Sequence, residues 1–124
     1  MNKYLLLACG SLMGGFARYF MAGAVYRAAG SSFPHGTLAV NLLGCFLIGF
    51  FDALAEDKLF LGPDGRMLLM IGFCGAFTTF STLILETAGL ARTGQDWTAC
   101  ANITVSVVLG LALFRAGLLA GRVI

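Results

Sequence analysis

Between positions 75 and 82 the chain reads Gly-Ala-Phe-Thr-Thr-Phe-Ser-Thr, set within a long apolar run. Three β-branched threonines, a serine and a glycine in eight residues favour a break in a helix. A break inside lipid frees backbone carbonyls that hydrocarbon cannot satisfy, so those oxygens must be buried in protein or coordinate an ion. Carbonyl oxygens suit a hard cation such as sodium. Phe77 and Phe80, three apart, fall on nearly one face if helical geometry persists between them. They serve either as packing or as rings whose positive edges attract an anion. Thr79, Ser81 and Thr82, with Ser106 further on, either donate hydroxyls to a polar ligand or bond back to the carbonyl four residues earlier. Asn41 brings two N–H donors and an acceptor into another apolar run, as glue between helices or as a ligand. Arg18 lies inside the first such run. It either snorkels to the interface or faces a cavity where it attracts an anion.

The elements that must position these residues are set by the solvent. Of 124 residues 59% are hydrophobic, 17 more are glycine, and only 11% are charged, whereas soluble domains carry about a quarter. A water-soluble globule of this size has too little interior for so many apolar side chains. Four runs have the length of a membrane helix, about 20 residues: residues 4–26, 36–55, 67–90 and 97–120. Lys3 and Arg27 flank the first, with Tyr4 and Tyr26 where interfacial aromatics collect. Its apolar character continues past any signal-peptide cleavage site. Gly30, Ser31, Ser32 and Pro34 mark one loop, the polar stretch 56–66 with its Gly-Pro-Asp-Gly turn marks the next, and residues 91–96 mark the last. The prediction is a single all-α membrane domain of four transmembrane helices, the third broken midway, with both termini on one side. Lys3, Lys58, Arg66, Arg115 and Arg122 fall on the terminal side against Arg18, Arg27 and Arg92 on the other. So slight a bias permits insertion both ways round and antiparallel pairing of two copies. Gly10 with Gly14, Cys45 with Gly49, Ser106 with Gly110, and Gly117 with Gly121 have the small-xxx-small spacing of closely packed helices.

Several classes of function drop out. A net charge of +2 without clustered Lys or Arg argues against nucleic acid. Cys9, Cys45, Cys74 and Cys100 form no CxxC pair and lie in or near apolar stretches, as packing residues do. Asp52 and Glu86 are read as close to helix ends, so no carboxylate occupies the middle of a span, where a proton-coupled pump needs one. His35 is the lone histidine. No catalytic constellation is present, and an enzyme is not expected.

Three segments in order, Gly14-Gly15-Phe16-Ala17-Arg18-Tyr19, Gly36-Thr37-Leu38-Ala39-Val40-Asn41-Leu42-Leu43-Gly44 and Gly72-Phe73-Cys74-Gly75-Ala76-Phe77-Thr78-Thr79-Phe80-Ser81-Thr82, resemble the CrcB/Fluc family of fluoride channels, small membrane proteins found chiefly in bacteria. The resemblance implies an antiparallel, dual-topology homodimer in the bacterial inner membrane. Two fluoride pores would run along the subunit interface, with a structural sodium ion, not itself transported, at the centre. By matching motif positions, Asn41, Phe77 and Phe80 would line the pores, Arg18 would sit near a vestibule, and the backbone carbonyls of Gly75 and Thr78 would hold the sodium. The hydroxyls of Thr79, Ser81, Thr82 and Ser106 are expected to add donors. Asn102 departs from the pattern, since many relatives carry tyrosine four residues before the serine matching Ser106, which puts a polar contact in the fourth span in question. The implied activity is passive export of cytoplasmic fluoride, which lowers its toxicity. The alternative is a small multidrug-type four-helix exporter, which would need a central carboxylate in the first span, where this chain offers only Arg18. A non-transporting assembly subunit would explain the glycines but not the neutral polar residues around the break.

Overall fold

A computed structural model of the chain describes residues 2–124. Four helical runs are long and apolar enough to cross a membrane: Lys3–Ala29, His35–Asp57, Pro63–Arg92 and Asp96–Val123. The first is one helix, α1 (Lys3–Ala29), opened by Asn2, whose Oδ1 accepts the Tyr4 N–H at 3.0 Å. Gly30 closes it at φ +82°, with its N–H on the Tyr26 carbonyl. Helix α2 (His35–Asp52) continues through a π-helical turn, Ala53–Asp57. The third run is composite: α3 (Pro63–Gly65), a π-helical stretch (Arg66–Cys74), α4 (Gly75–Phe77), two extended residues, and α5 (Phe80–Arg92). Helix α6 (Asp96–Val123) is the fourth.

Each run exceeds its predicted span at one end or both. The polar stretch 56–66 shrinks to a loop of residues 58–62, because the π-helical turn reaches Asp57 and Pro63 starts the next helix in the position where a missing N–H costs nothing. Arg66 pairs with Glu56, and its Nη2 donates to the Ala55 carbonyl at 2.9 Å, tying the two helix ends together. Polar residues here mark the level of water while the backbone remains helical.

Packing rests on missing side chains. The main contacts join α2 to α6, α1 to the π-helical stretch and α4, α1 to α2, and α5 to α6. A Cβ on Gly10 would strike the Leu68 carbonyl, and one on Gly14 the Phe73 carbonyl; across the α2–α6 contact Gly49 meets the Phe114 carbonyl and Gly117 that of Phe46. Gly110 faces the Cys45 sulfur, and Gly121 faces Ala53 and the Phe50 carbonyl. Backbones touch directly, which is how helices gain attraction in a solvent as apolar as themselves. Half of the buried hydrophobic set is small (Ala53, Ala55, Cys74 and Ala99), while large residues such as Leu12, Phe16, Phe20 and Leu111 point outward.

Gly14→Ala therefore forces α1 away from Phe73. Overpacking of this kind costs about 1–3 kcal/mol. The expected result is a clearly lowered unfolding temperature in detergent, whereas Gly89→Ala, on an exposed position with nothing near its added carbon, unfolds at or above the parent's temperature.

Candidate functional site

The break is built from hydrogen bonds that replace those of a helix. The Cys74 carbonyl takes both the N–H of Thr78 (3.1 Å) and its hydroxyl (2.9 Å), ending the helical turn. Thr78 (φ −88°, ψ 158°) and Thr79 (φ −150°, ψ 112°) are then extended. Asn41 on α2 meets Thr79 edge to edge: Thr79 N–H donates to Oδ1 at 2.8 Å, and Nδ2 donates to the Thr79 carbonyl at 3.0 Å. Thr79 also caps α5, its hydroxyl accepting the Thr82 N–H (3.3 Å) and donating to the Thr82 hydroxyl (2.9 Å). In an unbroken helix the N–H of Thr79 would close on the Gly75 carbonyl and that of Thr82 on the Thr78 carbonyl. Both N–H groups are drawn off by side chains, so both carbonyls lose their usual donors. The site also needs Gly44, where a Cβ would collide with the Thr78 methyl group.

Two grooves meet at Thr79. One, of about 460 Å³, gathers Asn41, Gly75, Thr78, Thr79, Phe80 and Ser106. The other, of about 900 Å³, has Arg18, Thr79, Thr82 and Glu86 in its wall. Ser106 Oγ is buried and has no hydrogen-bond partner among the described residues. Ser81 is exposed, with its hydroxyl 3.4 Å from that of Thr79. The hydroxyl that bonds back four residues at the break is that of Thr78; Thr79 is engaged forward, with Thr82. Phe77 and Phe80 do not share a face, contrary to the helical expectation, because the two extended residues lie between them. Phe77 is 2% exposed and stacks on Phe73 at 5.5 Å, while Phe80 is 74% exposed.

Sequence reasoning missed a second polar cluster. Oε1 of Glu86 accepts from the Tyr26 hydroxyl at 2.9 Å and from the Thr37 hydroxyl at 2.8 Å, while Oε2 is buried with no partner among the described residues. Glu86 looked terminal because the third span was expected to end at residue 90; α5 runs on to Arg92 and Glu86 packs inward. The signal available was its pairing with a tyrosine and a threonine at the ends of the two neighbouring spans. Asn102, 1% exposed, makes a polar contact of its own: its Nδ2 donates to the Thr87 hydroxyl at 2.9 Å, which in turn donates to the Leu83 carbonyl at 2.7 Å.

Four apolar spans around a side-chain-braced break, with no cluster of three or more His, Cys, Asp or Glu suited to a metal among the described residues, define a helical membrane protein whose polar groups at the break are neutral. Residues 5–118 match the family described as CrcB-like protein, Camphor Resistance (CrcB), and the chain belongs to that family. It is 48% identical, over the full length of both chains, to a protein of Nitratidesulfovibrio vulgaris named fluoride-specific ion channel FluC. It is 42% identical to the protein of that name from Maridesulfovibrio salexigens, over all of this chain and 98% of the relative. With that from Chlorobaculum tepidum the identity is 46%, over 98% and 96% of the two chains.

Removing the brace should loosen the break. Asn41→Leu strands the Thr79 N–H, at about 1–3 kcal/mol for a buried group, and leaves the Thr79 carbonyl with its helical bond alone. Asn41→Asp keeps the acceptor for Thr79 N–H but turns an oxygen towards the Thr79 carbonyl. Thermal unfolding in detergent should rank the parent above both variants; a parent-like midpoint for Asn41→Leu would contradict the brace.

Proposed function

We infer that this chain is a fluoride-specific ion channel that passes the anion passively down its electrochemical gradient. The observation that carries the reading is the neutral polar lining of the Asn41-braced break, in a chain 40–48% identical along nearly its full length to channels of that specificity. Fluoride is small and strongly hydrated. A pore must replace its water with hydrogen-bond donors and ring edges, yet bind weakly enough to let it go. Full positive charges would trap it. Hydrogen fluoride enters cells as a neutral weak acid and ionises inside; a negative-inside potential of 100 mV then drives the anion out with about 2.3 kcal/mol. No pump is required, and the multidrug-type alternative finds no carboxylate in α1.

Each part of the site takes a role in this reading. Asn41 Nδ2 has a second N–H beyond the one given to Thr79, and it offers that donor to the ion. Ser106, whose hydroxyl has no partner among the described residues, offers another from the same groove. Thr79, Ser81 and Thr82 extend the hydroxyl track towards the groove that holds Arg18, which attracts anions at a vestibule. Phe80, in the wall of the smaller groove, offers a ring edge, whereas Phe77 is buried against Phe73 outside both grooves and would have to turn towards the path to offer one. Both grooves are open on one side of a single chain, and two chains inserted in opposite senses would close them, which the near balance of Lys and Arg permits. A sodium ion would be held by the carbonyls of Gly75 and Thr78, two of the four oxygens, residues 75–78, that lose their helical donors at the break. Bound there, it would neutralise their partial charge and fix the break.

Three measurements test the reading. Phe80→Ile and Phe77→Ile keep apolar bulk but remove the ring edge, so fluoride release from liposomes per folded dimer should fall while assembly persists; parent-like flux in both would return the rings to packing. Single cysteines introduced near one terminus, in a chain cleared of native thiols, should label from both sides of the membrane, and labelling from one side only would exclude dual insertion. Replacing sodium with N-methylglucamine should lower both unfolding temperature and flux, and indifference of both would count against the ion.

A further inference from the structure

The loop of residues 58–62 carries two large apolar side chains that the rest of the chain leaves uncovered: Leu59 is 79% exposed and Phe60 70%. Leu59 has φ +55°, the left-handed region, and is the only non-glycine residue there among the described residues. A side chain in that conformation costs about 1–2 kcal/mol, which Asn, Asp or Gly would lessen. The turn is nonetheless well tied. The N–H groups of Phe60 and Leu61 close on the Leu54 carbonyl at 2.8 and 3.3 Å, and that of Lys58 on the Ala53 carbonyl at 3.1 Å. The two apolar side chains therefore project from a fixed turn.

Their depth follows from α6. With 28 residues it is about 42 Å long, so a centred helix extends roughly 6 Å beyond a 30 Å hydrocarbon core at each end. Arg122 in its last turn pairs with Asp57, two residues before Leu59, which brings the loop to that headgroup level. Charge does not draw it there. Glu56, Asp57 and Asp64 balance Lys58, Arg66 and Arg122, and two of these cations are engaged with two of the acids.

We propose that Leu59 and Phe60 form an apolar anchor in the boundary between lipid headgroups and acyl chains, held by hydrophobic contact and indifferent to headgroup charge. Such an anchor works in either leaflet, which suits a chain inserted both ways round, but it does not depend on that orientation or on the ion conducted.

The test places a reporter at the loop. Trp97 is the only tryptophan, so Phe60→Trp in a Trp97→Phe background, reconstituted in phosphatidylcholine vesicles, gives fluorescence from this position alone. Bromine near the carbonyl end of the acyl chains should quench it roughly twofold more than bromine near the methyl end, with little quenching by acrylamide, and the same pattern should hold when a fifth of the lipid is phosphatidylglycerol. Quenching by acrylamide without bromine quenching would put the loop in water, and indifference to both would put protein over it. Either result overturns the anchor, as does bromine quenching seen only with anionic lipid. Phe60 is exposed, so tryptophan meets no packing obstacle there; should that variant fail to assemble, Leu59→Trp reads the same layer.

Discussion

Hydrocarbon offers no hydrogen-bond partner, so every backbone group within it must be satisfied by the chain or by something the chain binds. The two bonds between Asn41 and Thr79 meet that constraint at the one place where the third span stops being a helix. With the amide standing in for a turn of backbone, Thr78 and Thr79 can be extended, and Thr79 is free to cap α5. The carbonyls of residues 75–78 all lose their helical donors, that of Gly75 through this exchange and that of Thr78 through the cap. Asn41 thus holds the extended backbone of the break, and the Thr79 cap sets where the helix resumes.

The surrounding bundle supplies tolerance at the scale of a single methyl group. Gly44 admits Thr78, while Gly10 and Gly14 let α1 rest on the carbonyls of the third span. Gly49 and Gly117 do the same for α2 and α6. Side chains large enough to fill a soluble core would push the helices apart and separate Asn41 from Thr79. Glu86 meets the same constraint in part: its Oε1 accepts from Tyr26 and Thr37 on two other helices, while its Oε2 has no partner among the described residues.

The four spans and the break were legible in the sequence because composition and β-branched clustering are local signals. Span ends were not, because Glu56, Asp57 and Arg66 are polar at the headgroup level yet remain helical, tied across the loop. The divergence of Phe77 and Phe80 was hidden too: spacing by three residues assumes the helix that Thr78 and Thr79 abolish. Asn41 was recognisable as an unusual residue, but its partner lies 38 positions away. Asn102 shows the same limit, since only the fold brings it to Thr87.

The central claim is passive conduction of an anion by neutral groups, and it is tested most directly by voltage alone. Liposomes holding the parent protein would carry equal fluoride and equal pH on both sides, with the potential set by a potassium gradient and valinomycin. The account predicts fluoride movement that follows the potential and reverses with its sign, while chloride barely moves. Fluoride that moves only when a proton gradient is imposed, or chloride that moves as fast, would contradict it.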